Sequence, residues 1–419
     1  MENEFPRFIK MKQSFLRPQV DDVPHTVRQQ LDLLGISRQI RTGQKIGITA
    51  GSRGIQNIVT VLSTVVNYIR QLGAKPYLLA AMGSHGGGTE VGQHELLESL
   101  GITEIAVGAP LVTCAVSQVV GQTGEGIPVY VLESALTMDG IVVVNRVKTH
   151  TSFKGKVESG LVKKLVVGLG GPQGAKQFHN FGSEELPRLL VEIGEVLLDK
   201  LPVLGALAII ENAYEETAQI TAIPTREIIE EEAKLLVYSK TLMPALPVND
   251  LDLLIIGEMG KNYSGTGIDT NIIGRIRIEG VPEPTLPSIK RVAILDVSEE
   301  SHGNAHGVGL ADFVTQKLVD KIDRPKTYLN SLVSTFVIRS AIPMYFDSEQ
   351  KLLEGALLSL GGIAPEKLRA IIIPNTLYLT DLWVSEAVAA ELSNRPGIEW
   401  CGDLVECCCD EQGNMLLRG

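Results

Sequence analysis

No apolar run in this sequence is long enough to cross a bilayer. A stretch such as Val203 to Ile210 falls far short of the roughly 20 residues that a spanning helix needs. Excess positive charge is missing too. Lys and Arg number 38 against 49 Asp and Glu, a net charge of −11, which argues against nucleic acid or an anionic membrane as partner. A small anionic substrate is not excluded, because a local cationic site can sit in an acidic protein. The start, Met1-Glu2-Asn3-Glu4, lacks the basic-then-apolar order of a secretory signal, and the expectation is a cytoplasmic protein.

Cysteine is scarce. Of five, Cys114 stands alone and Cys401, Cys407, Cys408 and Cys409 gather near the end. Three consecutive cysteines cannot make a regular disulfide framework. They admit a metal site, but the simpler reading is a strand of small apolar residues from Leu404 to Cys409, before a turn at Asp410-Glu411-Gln412-Gly413. Also absent are Cys-x-x-Cys, His-Glu-x-x-His, a Walker loop and Gly-x-Ser-x-Gly, which removes the commonest zinc, redox, NTPase and hydrolase signatures.

What is present is an alternation of apolar strand runs with helical stretches, in a chain of 419 residues, longer than one core usually supports. Strands are expected at Gln44 to Ala50, Lys75 to Ala81 and Gly140 to Val147, with helices at Ile55 to Leu72, Glu90 to Leu100, Ser183 to Lys200 and Arg226 to Tyr238. Pro244, Pro247 and Asn249 read as a hinge. Beyond it, strands are expected at Leu251 to Gly257, Arg291 to Val297 and Arg369 to Ile373, and helices at Ala311 to Ile322 and Leu382 to Leu392. The predicted fold is two α/β domains with mainly parallel sheets and an interdomain active-site cleft. Residues 1–245 form the catalytic and cofactor-binding domain, and 246–419 form a second domain that closes over the cleft.

Ligands of open parallel sheets gather beyond the carboxyl ends of the strands. Arg53, His85 and His150 each follow a predicted strand directly, so all three are expected at one edge. Gly83-Ser84-His85-Gly86-Gly87-Gly88 would let backbone and imidazole approach a ligand closely. The run from His150 carries Lys154, Lys156, Lys163 and Lys164 among glycines, then Gly168-Leu169-Gly170-Gly171 and His179. Lysines there suit phosphate binding or nucleophilic capture of a cofactor, and a neutral imidazole at His179 suits a metal. Gly168-Leu169-Gly170 is a partial dinucleotide fingerprint that follows no convincing strand.

Taken together, Gly83-Ser84-His85, then His150, then Ser159-Gly160-Leu161-Val162-Lys163, then His179 sixteen residues later resemble the nickel-pincer-nucleotide-dependent lactate racemases. The resemblance covers about residues 45 to 180. It implies that Lys163 carries the nickel-pincer nucleotide covalently, that His179 ligates the nickel, and that His85 and His150 are the acid/bases. Arg53 would hold a substrate carboxylate or a cofactor phosphate. His150 and Lys163 lie three residues further apart than in the family pattern, so Lys164 stays an alternative anchor. The implied activity is racemisation or epimerisation of a 2-hydroxy acid by proton-coupled hydride transfer, and the implied partners are the cofactor-maturation enzymes. A homo-oligomer is left open.

In the second domain, Lys261, Ser264, Thr266, Asp269 and Asn271 form a polar loop after a strand, with Lys261, Thr266 and Asn271 as substrate-binding candidates. Glu300 to Gly307, with His302 and His306, forms another such loop. Two other readings remain: a nucleotide-dependent oxidoreductase, and a non-enzymatic metal- or nucleotide-binding protein using the C-terminal cysteines.

Overall fold

The computed structural model describes residues 5–417; the acidic start, Met1 to Glu4, lies outside them. The chain makes two compact α/β units. One runs from Arg17 to Met243, and the other combines the chain up to Leu16 with Pro244 onward. This corrects the expected domain of residues 1–245. The strand Arg7–Gln13 pairs antiparallel with Asp381–Ser385 on one side and Ile398–Glu406 on the other, so it belongs to the second sheet.

In the Arg17–Met243 unit a six-stranded sheet runs in the order Leu111–Val112, Lys75–Ala80, Lys45–Ala50, Gly140–Arg146, Val203–Glu211, Thr217–Ile223. All neighbours are parallel except the last pair. Numbered along the chain, the order is 3-2-1-4-5-6. The reversal falls between Lys45–Ala50 and Gly140–Arg146, and the crevice beyond the carboxyl ends at that point is where such sheets hold ligands.

Strand side chains alternate between the two faces. Ile141 and Val143 enter one core with Ala206, Ala208 and Ile210, while Val142 and Val144 enter the other with Leu207 and Ile209. A fully buried Val or Ile is worth about 1.5–3 kcal/mol, so the continuous Ile-Val-Val-Val run settles this strand as the centre of the sheet. The helix Ile58–Gln71 buries Ile58, Val61, Leu62, Val65, Val66 and Ile69 at helical spacing. It starts three residues later than expected, because Asn57 is left-handed (φ 61°). A separate hairpin joins Ser117–Gln122 to Pro128–Leu132.

The other unit has an eight-stranded sheet. Met344–Phe346, Phe313–Thr315, Ser288–Val297, Asp250–Met259 and Ala370–Ile373 are parallel, and Asp381–Ser385, Arg7–Gln13 and Ile398–Glu406 continue it antiparallel. Two expected helices are in fact strand-then-helix. Ala311 to Ile322 divides into Phe313–Thr315 and Gln316–Asp320, because the Thr315 hydroxyl accepts from the Leu318 amide and caps a helix that begins only there. Leu382 to Leu392 divides likewise into Asp381–Ser385 and Glu386–Leu392, since Leu382 and Val384 alternate into the core. The expected strand Leu404 to Cys409 is shifted: pairing ends at Glu406, and only Cys409 bridges, to Met415 across the Asp410–Gly413 turn.

Candidate active site

The strand ends bring the candidates together. After Lys45–Ala50 the chain turns through Gly51-Ser52-Arg53, and the Ser52 hydroxyl meets His85 Nδ1 from the neighbouring strand end. After Gly140–Arg146 comes His150, whose Nε2 lies 2.5 Å from Lys163 Nζ. Gly160 to His179 runs as three helical pieces. A turn at Leu161–Lys163 passes into a π-helical stretch, Lys164–Leu169, and then into the helix Gly171–His179. A π turn inserts a residue relative to the α ladder and is common at functional sites.

Gly168 lets that stretch press on the His85 loop. Its carbonyl accepts from the Gly83 amide at 3.2 Å, and a Cβ on Gly168 would lie 2.8 Å from the Ala81 carbonyl oxygen. A straight helix would set Lys163 and His179 about 24 Å apart. Gly171, left-handed at φ +67° with no room for a Cβ beside Leu132 and Ser117, turns the chain back instead. Burial, and then Lys163 when it is protonated, depresses the His179 imidazole to about 4. Aromatic rings tie the same groups together: His150 stacks on Phe153 at 4.2 Å, Phe153 meets Phe178, and Phe178 meets His179. Lys163 Nζ sits 5.8 Å over the Phe153 ring.

Protonation follows from the hydrogen bonds. The Ser152 amide donates to His150 Nδ1 at 3.1 Å, so the neutral ring carries its proton on Nε2. That proton points at Lys163, which accepts it in its unprotonated form. Burial, then Arg53 and Lys164, push Lys163 down to about 7, in the same direction. Lys164 is placed differently. It is buried, its amine faces the Ala81 carbonyl oxygen at 3.4 Å, and a Cβ on Gly51 would fall 2.1 Å from it. Burial lowers it to about 8. Of the two lysines, Lys163 is the reachable one.

His85 is lowered to about 3 by burial and then by Arg53, with Lys163, Lys164 and His179 acting in the same direction when protonated. Arg53 is lowered by burial and by Arg146. Water nonetheless reaches both Arg53 and His85, so they are side chains lining a recess rather than sealed groups, and for His85 the cationic neighbours deserve more weight than burial. Among the described residues no carboxylate pairs with Arg53, His85, Lys163, Lys164 or His179. Arg146, by contrast, is neutralised by Glu211, which also accepts from the Gln56 amide at 2.6 Å. An acidic protein thus keeps a cationic recess without counter-charge, which is the electrostatics of an anion site.

Two residues not expected from the sequence position these groups. Glu158, with a fully buried side chain, accepts from the His150 amide at 2.7 Å and from Lys240 at 3.0 Å. Glu232, also fully buried, accepts from the Val162 amide at 2.7 Å and is packed where a Cβ on Gly160 would be. Glu232 acts across 70 residues and Glu158 from inside a lysine-rich run, so periodicity alone carries no signal of them. Burial raises Glu232 to about 7, against the lowering effect of the Val162 and Leu161 amides. A raised acid contributes full stability below its unfolded value near 4.5 and loses it as pH rises through 7. The loss is on the order of 3 kcal/mol. Glu232→Gln should therefore be increasingly stabilising relative to the parent between pH 5 and pH 8, as followed by urea unfolding. Equal pH slopes for the two proteins would refute this.

The remaining candidates brace their own unit. Lys261 Nζ donates to the Gly265 carbonyl and to Asn330, each at 2.7 Å. Thr266 is buried and donates to the Ile268 carbonyl at 2.5 Å. The Asn271 side chain donates to Asp269 at 2.8 Å. His306 is buried against Ser331 at 2.7 Å. All five cysteines are free thiols, and among the described residues no three His, Cys, Asp or Glu side chains converge to hold a metal. His179 would therefore hold one only alongside ligands supplied by a bound group.

A family model described as a domain of unknown function (DUF362) matches residues 50–223, the span from the first strand end of the six-stranded sheet to its last strand. No curated protein matches the sequence. Among solved structures, the lactate racemase apoprotein from Thermoanaerobacterium thermosaccharolyticum is similar at a TM-score of 0.52 and 11% identity, over 89% of this chain and 99% of that one. A protein from Thermotoga maritima is similar at a TM-score of 0.51 and 14% identity, over 85% and 98%. The chain has a lactate racemase-like α/β fold.

Proposed function

We propose that this chain is a racemase or epimerase of 2-hydroxy acids, with its site in the Arg17–Met243 unit and a nickel-pincer nucleotide as cofactor. The observation that carries the reading is the uncompensated cationic recess with an unprotonated lysine at its centre. The donor set fits the group: a neutral, reachable amine at Lys163 for covalent attachment, an imidazole at His179 for the nickel, and cationic side chains for a phosphate. When bound, the group would supply a hydride acceptor, since cofactors carry the hard step.

The chain's own residues do the rest. Arg53, which has no acidic partner among the described residues, holds the substrate carboxylate. His85 and His150 come from different strand ends and can flank the planar intermediate, one on each face: His85 takes the hydroxyl proton, and His150, whose proton sits on Nε2, is set to donate one. His85 is unprotonated at neutral pH and ready to accept. An anion on Arg53 removes part of the charge that depresses it, raising its basicity when substrate is present. Glu158 orients His150 through its backbone amide.

Protein produced together with the cofactor-making enzymes should contain nickel, show an adduct in its intact mass, and racemise a 2-hydroxy acid deuterated at C2 with the label kept. Loss of the label to solvent would indicate proton abstraction instead. No nickel and no adduct would remove the cofactor from the reading.

A further inference from the structure

We infer that the unloaded protein carries at Lys163 a reactive amine that captures anionic aldehydes and 2-oxo acids as imines, with His150 as its proton carrier and Arg53 as its anion anchor. This does not rest on the racemase reading; it needs only the recess and the lysine–histidine contact.

Three observations lead to it. First, the Ser152 amide donates to His150 Nδ1, which sets the neutral ring's proton on Nε2, against the Lys163 nitrogen, a contact that favours the amine over the ammonium. An amine held this way is nucleophilic at neutral pH, unlike a surface lysine. Second, Arg53 has no ion pair or hydrogen bond within the protein among the described residues, yet it is close enough for its charge to act on both Lys163 and His85. An unpaired guanidinium near a neutral amine selects a ligand with a negative group beside an electrophilic carbon. Third, the second lysine is kept out of the reaction. Lys164 is buried against Gly51 and the Ala81 carbonyl, so its role is charge, which disfavours the protonated form of its neighbour.

The chemistry balances without oxidant or reductant. The Lys163 lone pair forms a C–N bond to the carbonyl carbon while the carbonyl π pair moves to oxygen. His150 gives its Nε2 proton to that oxygen and takes one from the nitrogen. His150 then gives its Nε2 proton to the hydroxyl as the C–O bond breaks and takes the remaining proton from the nitrogen, so the oxygen leaves as water, with C=N and a neutral His150 left behind.

The probe is pyridoxal 5′-phosphate, which joins an aldehyde to a phosphate, on full-length unloaded protein. Borohydride reduction adds hydride to the imine carbon, and peptide mass spectrometry locates the adduct. The expected result is one dominant adduct on Lys163, formed at least tenfold faster than with pyridoxal and slowed by inorganic phosphate. Lys163→Arg should abolish it without moving it to Lys164. His150→Phe and Arg53→Gln should each slow it tenfold or more while circular dichroism and the melting temperature stay near the parent's. If a variant unfolds, protection of the parent by phosphate decides the point. Labelling spread evenly over exposed lysines such as Lys156 and Lys176, a dominant adduct on Lys164, or equal rates with pyridoxal would overturn the inference. None of these outcomes involves nickel, so failure here and failure of the racemase reading are separable.

Discussion

Lys163→Ala, made in protein co-produced with the cofactor-making enzymes, is expected to leave the intact mass unmodified and to reduce racemisation to background. The loss should be at least about a thousandfold, the scale seen when a covalently acting group is removed. The reason is positional. Lys163 is the last residue of a helical turn whose backbone is held by Glu232, and its amine is poised by His150 Nε2–H. Its neighbour offers no substitute, because the Lys164 side chain is buried against Gly51 and the Ala81 carbonyl. Lys164→Ala should accordingly retain the adduct and lose affinity for anions. An adduct on Lys163→Ala protein, by intact mass and peptide mapping, would assign the anchor to Lys164.

The second large effect is expected at Gly86, which follows His85. Gly86 is left-handed at φ +65°, and a Cβ there would lie 2.4 Å from the Gly92 carbonyl carbon and 2.6 Å from the Gln93 amide nitrogen. These are backbone atoms at the start of the helix Glu90–Ser99 and cannot swing aside. Gly92 is equally confined, since a Cβ on it would lie 2.1 Å from the Gly86 carbonyl oxygen. The two glycines let loop and helix touch through their backbones and so set where His85 stands. Gly86→Ala should cost on the order of 3 kcal/mol or more, from the positive φ together with the clash. What remains folded should lose at least about a hundredfold in turnover, since a 1 Å error at a reacting group has that consequence. Thermal unfolding and turnover per folded molecule separate the two losses. Gly87→Ala is the control, because a Cβ at Gly87 meets nothing within 4 Å although its φ is also positive.

Much of this was legible in the sequence because it is periodic. Gly140 to Arg146 is read correctly from four adjacent β-branched residues, and once that strand and its neighbours are in place, Arg53, His85 and His150 must emerge at one edge. The return of His179 to Lys163 was legible only as a spacing. Its cause, the left-handed Gly171, is one glycine among 42. Glu158 and Glu232 were not legible as site residues, because a buried acid that bonds to backbone amides looks, in sequence, like any acid on a polar face. The short strands Phe313–Thr315 and Asp381–Ser385 were hidden for a different reason. Each runs straight into a helix, and the helix's apolar spacing extends backward over the strand's own alternation.

The strand Arg7–Gln13 has a consequence for how the molecule is made. It is synthesised long before its partners Asp381–Ser385 and Ile398–Glu406, which follow the whole Arg17–Met243 unit. The Arg17–Met243 unit can complete its own sheet during translation, whereas the other sheet must wait for Asp381–Ser385, with Arg7–Gln13 unpaired until then. Topologically, the site-bearing unit is an insertion in its companion. Cutting the gene at residue 244 would therefore not yield two independent halves: the downstream fragment would lack the strand that joins the edge strand Ile398–Glu406 to the rest, while residues 17–243 would keep every strand of theirs.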